Sequence, residues 1–213
     1  SCILAHPKMQ MHPLPVLEGE HLKMGYTTGA CTHANYTDSI SALSSGQLDA
    51  NSQTWSDSTA PLAKGLPIKT ILVNDNSAGN DALMVSPKIK SFADLKGKTV
   101  ALEQYSISHF VLATALAKNG MTLKDIKLTN LAAGDAAAAF MAGRVDAAVV
   151  WNPWVNTIQT SGKGKALFTS KDMPGLVPDL LVAQEKAIKA TGSETAKASK
   201  NAATAPSTAA KRR

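Results

Sequence analysis

Phe92-Ala-Asp-Leu-Lys-Gly-Lys-Thr-Val-Ala-Leu-Glu103, followed by Gly143-Arg-Val-Asp-Ala-Ala-Val-Val-Trp151 and Asp179-Leu-Leu-Val-Ala183, decides the fold. Thr99-Val-Ala-Leu102 is a short apolar run after a Gly-Lys turn, as expected of a strand buried on both faces. Ser106 or Ser108 can cap the helix that follows. Ile107, Phe110, Val111 and Leu116 recur at helical spacing, and Asn119-Gly120 closes the helix. Thr122 and Asp125 echo a capping box ahead of a strand-like alternation over 126–131. Gly134-Asp135 opens an alanine-rich helix ended by Gly143, and Ala147-Ala-Val-Val-Trp151 is another buried strand. Strands alternating with helices at this pitch predict a parallel sheet.

Working outward, His21-Leu-Lys-Met-Gly-Tyr26 reads as a first strand, and Asp38 to Gly46 as a short helix with Gly46 as its C-cap. Gly46-Gln-Leu-Asp-Ala50 mirrors Gly143-Arg-Val-Asp-Ala147, a helix-to-strand junction recurring in two lobes rather than a tandem repeat. The strand after it ends at Thr54-Trp-Ser-Asp-Ser58. Ile68-Lys-Thr-Ile-Leu-Val73 is a further strand, and Asn74 to Asn80 a dense turn cluster. Ligands of such sheets bind beyond the carboxyl ends of the strands. That rule places Trp55, Ser56, Asp57, Asn80, Glu103, Ser106, Ser108, Trp151 and Asn152 as candidate ligand contacts. The helix start near Ser106 and Ser108 suits an anion, although both serines also serve as caps. Trp151 is expected to wall the pocket and Trp154 to pack; Trp55 either opposes Trp151 or joins the core. His109 lies one turn into its helix, where a surface position competes with a ligand contact.

In order, these segments resemble the periplasmic substrate-binding proteins of ABC importers of the nitrate/sulfonate/taurine type. The resemblance runs from about Leu22 to Ile188 and is strongest over Ser91 to Ala183. It implies an α/β, two-lobe type II periplasmic-binding-protein-like fold with mixed, mainly parallel sheets. Asp81-Ala-Leu-Met-Val85 and Asp179-Leu-Leu-Val-Ala183 would form a hinge pair. The expected division is an irregular segment 1–21, a first lobe 22–86 plus 176–188, a second lobe 87–175, and a disordered basic tail 189–213. The family carries a helix and a strand where this chain has only Thr27 to Thr37, too short for both, so the first lobe is expected to be incomplete. The resemblance also implies capture of a small polar solute such as a sulfonate, taurine or nitrate, delivery to a membrane permease, no catalysis, and a monomer. The location it implies is periplasmic or extracellular, with tethering to a membrane left open. Asp57 and Glu103 would suit an amine or a zwitterion better than a simple anion.

Two other classes fit the chain less well. Pyrimidine-synthesis proteins of thiamine biosynthesis resemble the same scaffold, but they carry a cysteine-rich iron motif that this chain lacks. A ligand-sensing domain of a regulator ranks below, since no helix-turn-helix segment is evident. The 213 residues are 44% hydrophobic and carry a net charge of +6. From Ala190 onward, three lysines and two arginines against Glu194 account for four of those six charges. The rest of the chain therefore offers no basic face for nucleic acid, and the tail has no aromatic residue on which bases would stack. Cys2 and Cys31 form no zinc pattern, and a disulfide between them stays open. The histidines at 6, 12, 21 and 33 read as surface residues, so neither metal nor cofactor is expected. Gly162-Lys-Gly-Lys165 lacks the hydroxyl residue of a phosphate loop, and no nucleophile elbow occurs. No signal peptide or transmembrane run is visible. Ser1 is not an initiator, which is compatible with a leader removed from an exported protein.

Overall fold

The computed structural model describes residues 3–4 and 35–190. The strand expected over 21–26, both cysteines and the basic tail beyond residue 190 lie outside the described residues. Among the described residues, these helices and strands follow in chain order. They are β1 (Ile3–Leu4), α1 (Tyr36–Ser44), β2 (Ala50–Thr54), α2 (Trp55–Ala63), β3 (Ile68–Asn76), β4 (Asp81–Val85), β5 (Thr99–Leu102), α3 (Ile107–Lys118), β6 (Lys127–Asn130), α4 (Ala133–Met141), β7 (Ala147–Trp151), α5 (Trp154–Thr160), β8 (Lys165–Thr169) and β9 (Pro178–Gln184). The chain is helical again over 185–190.

The strands form two sheets, ordered β1-β2-β9-β3 and β6-β5-β7-β4-β8. Both are mixed. β5 pairs in parallel with β6 and β7, whereas β4 runs antiparallel to β7 and β8. In the first sheet β1 and β2 are parallel, and β9 lies antiparallel between β2 and β3. The chain crosses between sheets twice, at 77–80 and at 173–177, which places β4 in the second sheet and β9 in the first. Sheet membership therefore changes before Asp81. The crossings are tied together: the Ser77 amide donates to the Val177 carbonyl at 2.8 Å, and the Gly79 amide to Ser170 Oγ at 2.6 Å.

The second sheet carries the larger core. Leu83, Met84, Leu102, Leu112, Leu116 and Ile158 are buried there with the alanine face of α4. Alanines let α4 approach the sheet closely while favouring helix. The 3₁₀ turns ahead of β5 and β6 are closed by true capping boxes. Ser91 with Asp94 and Thr122 with Asp125 exchange side-chain and backbone hydrogen bonds, holding both carboxyls below their ordinary range.

The first sheet is built differently. Its apolar core is small: Ala42, Leu43, Leu48, Ile68, Leu180 and Val182. All five residues of β2 are buried although four are polar, and side-chain hydrogen bonds tie them together, with Asn51 Oδ1 left without a partner. Asn51 Nδ2 donates to Gln53 Oε1 at 3.0 Å, Gln53 Nε2 to Ser58 Oγ at 2.8 Å, and Asn74 Nδ2 to Ser52 Oγ at 3.1 Å. On the edge strand β3, residues 69–73 are exposed, including Ile71, Leu72 and Val73. That first layer is thinly covered.

Three local expectations change. β3 continues through Asn76, so the turn cluster shrinks to 77–80. The segment after Trp151 contains a helix and a strand, α5 and β8, where no regular element was expected. The Gly162-Lys-Gly-Lys165 turn links them. α1 begins at Tyr36, two residues before the expected start at Asp38, and Asn35 caps it, its Oδ1 accepting the Asp38 amide at 3.0 Å.

Candidate functional site

A cavity of about 610 Å³ opens between the two sheets. One wall is the first turn of α2, with Trp55, Ser56, Asp57 and Thr59. The opposite wall is the start of α3, with Tyr105, Ser106, His109, Phe110 and Ala113, and Gly175 and Leu176 of the return crossing close one side. Both helices present their amino-terminal ends, which carry partial positive charge. Trp55, Phe110 and Leu176 are each more than one-third exposed despite being large and apolar, and they flank the opening.

The α2 wall is organised by a chain of hydroxyl groups. Tyr36, the first residue of α1, donates its phenolic hydrogen to Asp57 Oδ2 at 2.7 Å and accepts the Thr54 amide at 2.9 Å. Burial, with the Asp57 carboxylate beside it, pushes the phenol well above its ordinary range, so it remains a donor. Thr54 Oγ1 also donates to Asp57 Oδ2, at 2.7 Å. A hydroxyl has one hydrogen, so at the 3.0 Å contact between Thr54 Oγ1 and Ser56 Oγ the donor is Ser56. Thr59 commits its hydrogen to the Ser56 carbonyl at 2.7 Å. Every side-chain hydroxyl on this wall therefore donates inward, and what these hydroxyls present to the cavity is lone pairs.

The α3 wall is bound up in a different way. Ser106 Oγ donates to the Glu103 carbonyl at 2.7 Å and accepts the Ser108 amide at 3.2 Å, capping the helix. The Gln104 amide donates to Asn130 Oδ1 at 2.9 Å, and the Tyr105 amide to His109 Nδ1 at 3.3 Å. Tyr105 holds φ +63°, a left-handed conformation that costs a bulky residue about 1–2 kcal/mol, and its ring meets the imidazole edge-on with centroids 5.9 Å apart. Partial burial lowers the His109 pKa below the ordinary imidazole value. With the folded value depressed, the unfolded chain takes up the proton first. Its stabilising contribution is therefore complete above about pH 6.5 and declines as pH falls through the folded value. Melting His109→Gln beside the parent at pH 7.5 and pH 5.5 checks the sign: the parent should lose more between the two.

Of the residues expected from sequence, Trp55, Ser56, Asp57 and Ser106 meet at this cavity, and five do not line it. Glu103 is buried and accepts the Thr37 amide at 2.7 Å, tying α1 to the second sheet. Trp151 is 5% exposed and packs edge-on against Tyr36, ring centroids 5.8 Å apart, so α1 covers the strand exit that would otherwise face solvent. Asn152 Oδ1 accepts the Asn156 amide in α5, and its own amide donates to the Asn80 carbonyl at 3.1 Å. Ser108 is buried, and its Oγ has no hydrogen-bond partner. Trp154 packs over Gly134, whose missing Cβ leaves room for the indole. Tyr36 carried no sequence signal that would have placed it at the site, whereas Tyr105 belongs to the stretch 103–108 that the strand-exit rule sets at the mouth. Among the described residues, no group of three or more His, Cys, Asp or Glu is placed to hold a metal ion.

A family model described as NMT1/THI5 like matches residues 30–210. The chain belongs to the NMT1/THI5-like family. An Escherichia coli K12 relative of this NMT1/THI5-like chain, named as a binding protein for aliphatic sulfonates, is 32% identical over 136 residues, covering 63% of the chain and 43% of the relative. The taurine-binding periplasmic protein of the same organism is 30% identical over 124 residues, 58% of the chain and 39% of the relative. Among solved structures, the periplasmic aliphatic sulphonate binding protein of Escherichia coli superposes with a TM-score of 0.63 at 28% identity, over 75% of the chain and 55% of that structure. The NMT1/THI5-like chain thus spans about two-fifths of the curated relatives it matches.

Proposed function

We propose that the cavity between α2 and α3 is the capture site of a solute-binding component of an ABC importer, which holds a small organic sulfonate for delivery to a membrane permease from the periplasmic side. The observation that carries this reading is the meeting of two helix amino termini, one from each sheet, across a 610 Å³ opening. That volume lies within the range of small-molecule sites. Nitrate would leave Trp55, Phe110, Ala113 and Leu176 without a counterpart, whereas the carbon chain of a sulfonate would cover them. The names of the relatives in Escherichia coli support the same class. They also favour capture over the pyrimidine-synthesis alternative, since they describe binding rather than turnover. In this reading the lobes follow the sheets, with 87–175 and β4 in the second lobe, the rest of 22–86 and 176–188 in the first, and the two crossings acting as hinges. Closure is favoured only by contacts that the solute makes better in the closed state than in the open one.

Thermal-shift titration with taurine, ethanesulfonate, nitrate, a primary amine and a pyrimidine tests the proposal. A sulfonate at about 100 times its Kd should stabilise the protein by about 2.7 kcal/mol and be recovered unchanged. Stabilisation by the pyrimidine alone, or conversion of any probe, would refute capture of sulfonates.

A further inference from the structure

We propose that His109 is a specificity-determining contact of the cleft, its Nε2–H donating to an oxyanion oxygen of the bound solute while the Tyr105 main-chain N–H holds the ring in that tautomer. The assignment rests on reading the cavity as a solute site. A main-chain N–H only donates, so the ring nitrogen it meets at 3.3 Å must accept. A neutral imidazole with Nδ1 as acceptor carries its hydrogen on Nε2. His109 belongs to the cavity wall.

Apart from the main-chain N–H groups of Ser106 and Ile107, the other donors of that wall are already engaged. The Ser106 hydroxyl serves the Glu103 carbonyl, the amides of 104, 105 and 108 each have a partner, and the His109 amide donates to the Ser106 carbonyl at 2.9 Å. The Tyr105 side chain is 83% exposed, so a bond from its hydroxyl would replace a water with little net gain. On that wall the imidazole is the half-buried side-chain donor with a fixed orientation. Tyr105 also explains why the orientation is fixed: its left-handed backbone turns the amide back toward the helix, where it meets the ring. The strain at this residue maintains a binding geometry rather than a packing contact. The titratable groups sharing the cavity with His109 are Asp57 on the facing wall and Tyr105 on its own.

Two substitutions separate contact from scaffold. Asn at 109 places Oδ1 near the Nδ1 position, so it still accepts the Tyr105 amide, but it withdraws the cavity donor. Gln at 109 places an amide N–H near the Nε2 position. Calorimetric titration of the full chain with taurine and with ethanesulfonate should show His109→Asn binding about ten-fold or more weakly at unchanged melting temperature, and His109→Gln within about three-fold of the parent. Nitrogen NMR of the ring at pH 7.5 should show Nδ1 bare and Nε2 protonated, with the Nε2–H resonance moving as sulfonate is added. Equal affinity of His109→Asn and the parent, or a ring protonated at Nδ1, overturns the assignment. If the parent binds neither sulfonate, the reading of the cavity fails, and this assignment fails with it.

Discussion

Valine at position 164 should cost the protein about 3 kcal/mol or more and lower the melting temperature by roughly 10 °C. Gly164 joins α5 to β8, and a Cβ placed there would lie 2.6 Å from Phe140 Cε1 and 2.8 Å from Ile158 Cγ2. Both neighbours are buried, Phe140 on α4 and Ile158 on α5, so neither can swing away without opening the core of the second sheet. Alanine at 164 already brings the clash, and valine adds two methyl groups to it. Urea denaturation should show the midpoint falling with little change in slope. A midpoint within 0.5 kcal/mol of the parent would mean that the α4–α5 packing is looser than described.

The second large effect is expected from Trp151→Ala, a loss of about 3–5 kcal/mol. Trp151 closes β7 and packs against Tyr36, which is bonded in turn to Asp57 and Thr54. Removing the indole leaves a cavity beneath α1 and loosens the residue that organises the α2 wall. The loss should therefore exceed that of Trp154→Ala, because Trp154 is only partly buried. Chemical denaturation of both variants checks the order. If Trp151→Ala instead left stability intact and abolished binding of sulfonates, the indole would be a ligand wall after all.

How far the sequence could be read follows from where each residue's partners lie. β5, α3, β6, α4 and β7 are bounded by apolar runs and Gly or Asn stops within a few residues of each other, so their order and the strand exits were legible. β8 was not, because Lys165-Ala-Leu-Phe-Thr169 follows a turn of glycines and lysines, and all of its residues except Phe168 are incompletely buried. The candidate site divided in the same way. Trp55, Ser56, Asp57 and Ser106 sit at helix starts, where a local rule places them. Trp151 and Glu103 also sit at strand exits, but α1 comes from far away in the chain and covers both, which no local pattern announces. Tyr105 shows the same limit from the backbone side. Its left-handed conformation would be expected of glycine, and only the imidazole one turn later accounts for it.

The hydroxyl chain through Ser56, Thr54, Asp57 and Tyr36 has a consequence for any molecule lodged beside it. With each of these hydrogens already turned inward, the hydroxyls of that face can receive but not offer, and the donors it presents are the main-chain N–H groups at the start of α2 and the Trp55 indole. A guest that sets its own acceptor against those hydroxyls would place lone pair against lone pair, at a cost of about 1–3 kcal/mol for each group left unanswered.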